Sequence, residues 1–186
     1  MINSKEDLKY YLEKDKYALG IKKKKPGSSD YIWKFQRALR YHEYYNNTYT
    51  PNLLYRIRLR YWSYKHRYYG MKLGFTIPIN TFGAGLRINH FGLIVVSGNA
   101  RIGEFCDIHQ GVNIGQNKDD QDVPVLGNNV WIGPGVKIFG KISIADEIAI
   151  GANSVVTRSF EEKDITIAGI PAKKIKDTGN IYKRFM

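Results

Sequence analysis

The sequence predicts a mainly β fold, a parallel β-helix of six-residue repeats preceded by a short α-helical segment. Two observations carry this. Aliphatic residues fall every six positions at Val96, Ile102, Ile108 and Ile114, and again at Leu126, Ile132, Ile138, Ile144, Ile150 and Val156. Composition also changes abruptly near Tyr69-Gly70. Residues 1–70 hold 16 Lys+Arg, 6 Asp+Glu and 13 of the 14 tyrosines, whereas residues 71–186 hold 15 of the 18 glycines. Three units follow: a basic, Tyr-rich helical segment (1–70), a β-helical domain (71–176) and a C-terminal tail (177–186).

In the first unit, Ser4 and Asp7 have the spacing of a capping box. Leu8, Tyr11, Leu12 and Leu19 recur at helical intervals until Gly20 closes the helix. Four consecutive lysines (22–25) before Pro26-Gly27 make a solvated linker. Asp30 is placed to cap a second helix reaching about Tyr45, with Ile32, Phe35 and Leu39 on one face. Thr50 and Pro51 suit the cap and first turn of a third, reaching about Tyr68. Basic residues interleaved with aromatics can bind nucleic acid, but no named motif is present, and nucleic acid is not an expected partner. Packing on the next domain or on another subunit is expected instead; an acidic polymer or membrane surface is the remaining alternative.

In the second unit the period of six comes with a second apolar column two places earlier: Ala100, Cys106, Val112, Val130, Val136, Ile142 and Ile148. Neither a helix nor a hairpin sheet has this period. A chain that turns a corner every six residues does, stacking short strands around an apolar interior. Glycines after the inward position (Gly103, Gly115, Gly127, Gly133, Gly151) are expected to supply the corner conformations. The polar stretch at 116–123 breaks the period and must loop outward, and repeat proteins place such insertions on a binding face.

The 186 residues carry a net charge of +12, one cysteine and no apolar run near the ~20 residues of a membrane span. Disulfide scaffold, membrane channel and zinc ribbon are excluded. Cys106 falls on an inward column and is expected to be core, not nucleophile. The mixed-charge N-terminus lacks a signal-peptide pattern, so a cytoplasmic location is expected.

Counting back six from Val96 reaches His90, in a slot that elsewhere holds an aliphatic side chain. Either His90 is a satisfied core histidine, or the coil opens there into a cleft. His109, after the inward Ile108, lies at a corner just over one coil away and is a second candidate participant. Two histidines in the repeat domain are too few for a zinc site, and no metal is expected. His42 and His66 are expected to be surface or packing residues. Trp131 lies between inward columns, points out, and marks an interface or ligand contact.

The stretches Asn89-His90-Phe91-Gly92-Leu93-Ile94-Val95-Val96, His109-Gln110-Gly111-Val112-Asn113-Ile114-Gly115, Val130-Trp131-Ile132-Gly133-Pro134-Gly135, Gly151-Ala152-Asn153-Ser154-Val155-Val156-Thr157-Arg158 and Ala168-Gly169-Ile170-Pro171-Ala172-Lys173-Lys174 occur in this order. Together they resemble the hexapeptide-repeat acyltransferases, in particular serine O-acetyltransferases and related sugar and capsule O-acetyltransferases. The resemblance runs from about Pro78 to Lys176. It implies a left-handed β-helix, acetyl-CoA as co-substrate, a homotrimer or higher order with sites between subunits, and His90 as general base. It assigns Gly133, Pro134, Gly151, Ala152, Thr157, Arg158, Lys173 and Lys174 to coenzyme A. Gly115 is a candidate backbone donor to the oxyanion, and Asn89, Trp131 and Asp122 are candidates for the acceptor pocket.

The sequence also departs from the serine enzymes. Phe75 stands where their aspartate orients the histidine, Asn89 where an aspartate is usual, and Asp122-Val123 where an Arg-His pair helps hold serine. A carboxylate-bearing acceptor would find Asp122 repulsive. The expected acceptor is therefore a hydroxyl of a sugar in capsule, exopolysaccharide or surface-glycan synthesis. Free serine is the alternative, and a non-enzymatic β-helical assembly or glycan-binding module is the alternative of another class.

Overall fold

The computed structural model describes residues 1–183. Three helices, α1 (Lys5–Ala18), α2 (Tyr31–Asn47) and α3 (Leu53–Leu73), precede a stack of short strands. The strands form three parallel sheets that the chain visits in rotation. One contains Phe75–Thr76, Ile94–Val96, Asn113–Gly115, Lys137–Phe139 and Val155–Val156. The second contains Arg101–Ile102, Val125–Leu126 and Ser143–Ile144. The third begins with Arg87–Ile88, Asp107–Ile108, Trp131–Ile132 and Ala149–Ile150, and ends in an antiparallel pair, Thr166–Gly169 with Ala172–Lys176. Every residue of both predicted apolar columns is buried, Cys106 among them. The chain is the parallel β-helix that the period of six requires.

The corners differ from expectation. Gly103, Gly115, Gly127, Gly133 and Gly151 do not take positive φ. Left-handed backbone falls instead on Phe105, Asn129 and Glu147 before the third sheet, and on Gly92, Gly111, Gly135 and Asn153 after it. The glycines following the inward residue serve close stacking. A Cβ on Gly103 would lie 2.6 Å from the Gly127 carbonyl carbon one coil on, and one on Gly133 would lie 2.8 Å from the Ile150 oxygen.

The helices pack onto the open first coil. Phe35 and Leu39 of α2 join the same hydrophobic core as the inward columns. Beside them, Arg40 is fully buried and its guanidinium ties three parts of the chain together. It donates to Asp15 of α1 (Nε to Oδ2, 2.8 Å), to Glu43 of α2 (3.0 Å), and to the Phe82 and Gly83 carbonyls of the first coil (3.0 and 2.7 Å). Asp15 also accepts from the Gly85 and Leu86 amides (2.9 and 3.0 Å). Burial works against the Arg40 charge, but the two carboxylates outweigh it and hold its pKa above the usual value.

Ser4 caps α1 through the Asp7 amide (2.9 Å), while the Asp7 carboxylate reaches back to Asn3. The third helix is capped by Asn52, whose side chain accepts from the Tyr55 amide (2.8 Å), and not by Thr50. It runs past the compositional break to Leu73, where Gly74 takes the left-handed conformation that ends it.

Candidate active site

His90 is exposed, and strand register explains why. Ile88 pairs with Ile108 and Val96 with Ile114. The first coil therefore spends eight residues between inward positions where the next spends six. The two extra residues widen the corner at 89–93 and lift the imidazole out of the stack, so the core alternative is overturned. At the next coil the His109 ring lies 6.3 Å from that of His90, centroid to centroid. The Nδ1–H of His109 donates to the Ile132 carbonyl (3.0 Å), and the ring meets Trp131 edge-on at 4.9 Å. A carbonyl only accepts, so this bond fixes the tautomer and leaves the Nε2 lone pair of the neutral ring free.

Beneath this corner, Asp107 is fully buried and accepts from Arg87 (Nη1, 2.8 Å) and from the Asn89 amide group. Neither Asp107 nor Arg87 was singled out by the repeat. The available signal was that both precede an inward isoleucine, one coil apart, as the pairing of Arg87 with Asp107 shows.

Register orders the outer face of the third sheet. The column that follows the inward isoleucines reads Asn89, His109, Gly133, Gly151 and Ala168, and the terminal strand adds Lys173. The neighbouring column reads Arg87, Asp107, Trp131, Ala149 and Thr166. His109 thus stands above three small residues in a column that ends at a lysine, with the His90 ring beside it at the corner. Pro134 and Ala152 follow the glycines at the corner. Along the second column lies a cleft of about 470 Å³, lined by Trp131, Ala149, Thr166, Lys176, Gly179 and Tyr182. Its tail wall is pinned by Asn180, which donates to the Asn129 and Glu147 carbonyls (both 2.8 Å). The tail was not foreseen in this role.

Other expected residues lie elsewhere on the protomer. Gly115 ends a strand of the first sheet, at the corner where the loop leaves, and packs on Phe139. Asp122 belongs to that loop and braces it, accepting from the Lys141 amide (2.6 Å) and the Lys118 amide (3.3 Å). Thr157 and Arg158 follow the last strand of the first sheet, and Arg158 lies over the Phe160 ring at 5.1 Å. Lys174 is engaged by Glu162 and Asp177, both at 2.6 Å. Phe75 is buried against Phe35, 5.1 Å between centroids. Among the described residues no three His, Cys, Asp or Glu side chains converge as a metal site would need. No helix described is long and apolar enough to cross a membrane.

The geometry defines a class, a parallel β-helix with two neighbouring histidines beside a column of small residues, and the comparisons give it a family likeness. No family model matches the chain. It is 38% identical over 104 residues to the serine acetyltransferase of Synechococcus elongatus, covering 55% of this chain and 42% of that protein. The chain spans less than half the length of the curated relatives it matches. Among solved structures, the serine acetyltransferase of Brucella abortus in complex with coenzyme A superposes with a TM-score of 0.71 at 26% identity, over 95% of this chain and 70% of that one. The Neisseria gonorrhoeae serine acetyltransferase in complex with serine gives 0.65 at 25%, over 89% and 68%. The fold is the left-handed β-helix, and the chain is similar to hexapeptide-repeat acyltransferases of the serine O-acetyltransferase kind, as its motifs imply.

Proposed function

We propose that this chain transfers an acetyl group from acetyl-CoA to an acceptor hydroxyl, with His90 as general base and the acetyl thioester lying along the groove of Gly133, Gly151 and Ala168. The single observation that carries this reading is the widened corner, which presents His90 to solvent beside His109. A neutral imidazole removes the hydroxyl proton as the oxygen attacks the acetyl carbonyl. The tetrahedral intermediate collapses to ester and thiolate, and the imidazolium returns its proton to the sulfur. No acyl-enzyme is needed, and burial pushes the Cys106 thiol well above its ordinary pKa, away from nucleophilic use. His109, with its Nε2 lone pair free, serves the acceptor hydroxyl. Lys173 lies where the coenzyme phosphates would want a cation. Gly115, Asp122, Thr157 and Arg158 sit on another corner and would reach this site only from a neighbouring subunit, which accords with a homotrimer.

The order of acceptors is corrected. Serine, second in the sequence reading, moves ahead of a sugar because the relatives are named serine acetyltransferases and one neighbouring structure holds serine. One specific observation keeps the sugar as a second reading. Val123 is buried and both Asp122 oxygens are engaged by backbone amides, so positions 122 and 123 offer a carboxylate no cation, and the loop's one cation is Lys118. Thiol release from acetyl-CoA, measured with L-serine and with a panel of sugars and nucleotide sugars, tests this. Turnover with serine supports the first reading, turnover with a sugar alone supports the second, and absence of coenzyme A binding removes both.

A further inference from the structure

We infer that α3 is a membrane-surface helix that seats this protein on anionic lipid. Leu54, Ile57, Tyr61, Tyr64, Tyr68 and Met71 are spaced three and four apart, which aligns them as one stripe along the helix. Each is exposed, from 40% for Tyr68 to 80% for Met71. The opposite face, with His66, Gly70 and Leu73, is buried against the rest of the chain. An exposed apolar stripe roughly 100° wide and, at 1.5 Å per residue, about 25 Å long demands an occupant.

Charge decides which occupant. Arg56, Arg60 and Arg67 run along one border of the stripe, and Arg58, Lys65 and Lys72 along the other. The helix contains no acidic residue. A second copy of α3 laid on the stripe would bring these borders together, where paired helices need opposite charges. A bilayer surface rich in anionic headgroups satisfies both features at once. The leucine, isoleucine and methionine enter the acyl boundary, the tyrosine rings sit at headgroup depth, and five cations face phosphate while the Lys72 ammonium lies over the Tyr31 ring at 4.2 Å. Six basic residues and an exposed apolar stripe suit a helix that lies in the interface, and no helix described is apolar enough to span.

The test is flotation of the full chain with vesicles of phosphatidylcholine alone and of phosphatidylcholine with phosphatidylglycerol. Binding is expected only to the anionic vesicles, and is expected to weaken as salt rises. Each basic side chain removed should weaken it about fivefold, so R60Q with R67Q should weaken it about 25-fold. I57S with Y64S, at exposed positions that leave the fold intact by circular dichroism, should abolish retention without changing mass in solution. Three results would overturn the inference: equal indifference to both vesicle types, variants that bind like the parent, or a fall in mass for I57S/Y64S, which would make the stripe a subunit contact. Capture of an acidic amphipathic peptide by a chain that ignores vesicles would overturn it as well.

Discussion

Replacing Arg40 by alanine should destabilise this protein more than any loss at its surface. The guanidinium is fully buried and makes four close contacts, to the carboxylates of Asp15 and Glu43 and to the carbonyls of Phe82 and Gly83. Its removal leaves two buried carboxyl groups, of which Asp15 keeps the Gly85 and Leu86 amides and Glu43 keeps the Asn80 amide (2.8 Å). It also leaves two carbonyls without these donors. Removing one partner of a buried ion pair costs about 3–5 kcal/mol, and for a chain of this size 1 kcal/mol moves the melting temperature by about 2–4 °C. R40A should therefore unfold about 6–20 °C lower in a calorimetric scan. R40K should recover less than half of the loss, because an ammonium cannot fork between Asp15 and both carbonyls. Loss below about 1 kcal/mol in R40A, the range of an exposed pair, would refute the claim that this cluster clamps the helices to the first coil.

Three further outcomes are expected. G133A puts a Cβ 2.8 Å from the Ile150 oxygen and 3.0 Å from the Trp131 ring; coenzyme A affinity measured by calorimetry should fall, with about 1–3 kcal/mol lost in urea unfolding. D107N weakens the hold on Arg87 and Asn89, and kcat/KM should drop about tenfold, the scale of one lost charge-assisted bond, with the mass in solution unchanged. Burial, with the nearby His42, lowers the pKa of His66 to about 4. Its contribution to stability is complete above the unfolded value of about 6.5 and shrinks as pH falls toward 4, by about 1.4 kcal/mol per unit. Urea titrations at pH 6.5 and 5 should show about 2 kcal/mol more loss in the parent than in H66Q, and equal loss would contradict the assignment.

The architecture was legible because a parallel coil leaves a plain periodic record. Each inward slot must be apolar, and every aliphatic residue of the two predicted columns is buried. The helices were legible too, although Asn52 displaced Thr50 as a cap because its carboxamide reaches the Tyr55 amide, and Asp30 precedes α2 without capping it, its carboxylate being held by the Gly27 amide and Lys23. What the period could not carry was its own exception. Counting by six put His90 inside, whereas two additional residues in one corner put it outside, and only strand pairing reveals an insertion that leaves both flanking phases apolar. Asp107 was hidden for a related reason: its role comes from Arg87 and Asn89, 20 and 18 residues earlier, brought alongside by one turn of the coil. Gly115, which shares a motif with His109, and Asp122 of the loop that follows are separated from the histidines by a whole sheet in space.

The most direct measurement is the turnover of acetyl-CoA by H90A beside the parent chain, each with the acceptor that the parent uses. Loss of a general base predicts a fall in kcat of about 10²–10⁴ with coenzyme A binding retained, and H109A should fall less. Undiminished kcat in H90A would show that the exposed imidazole does no chemistry.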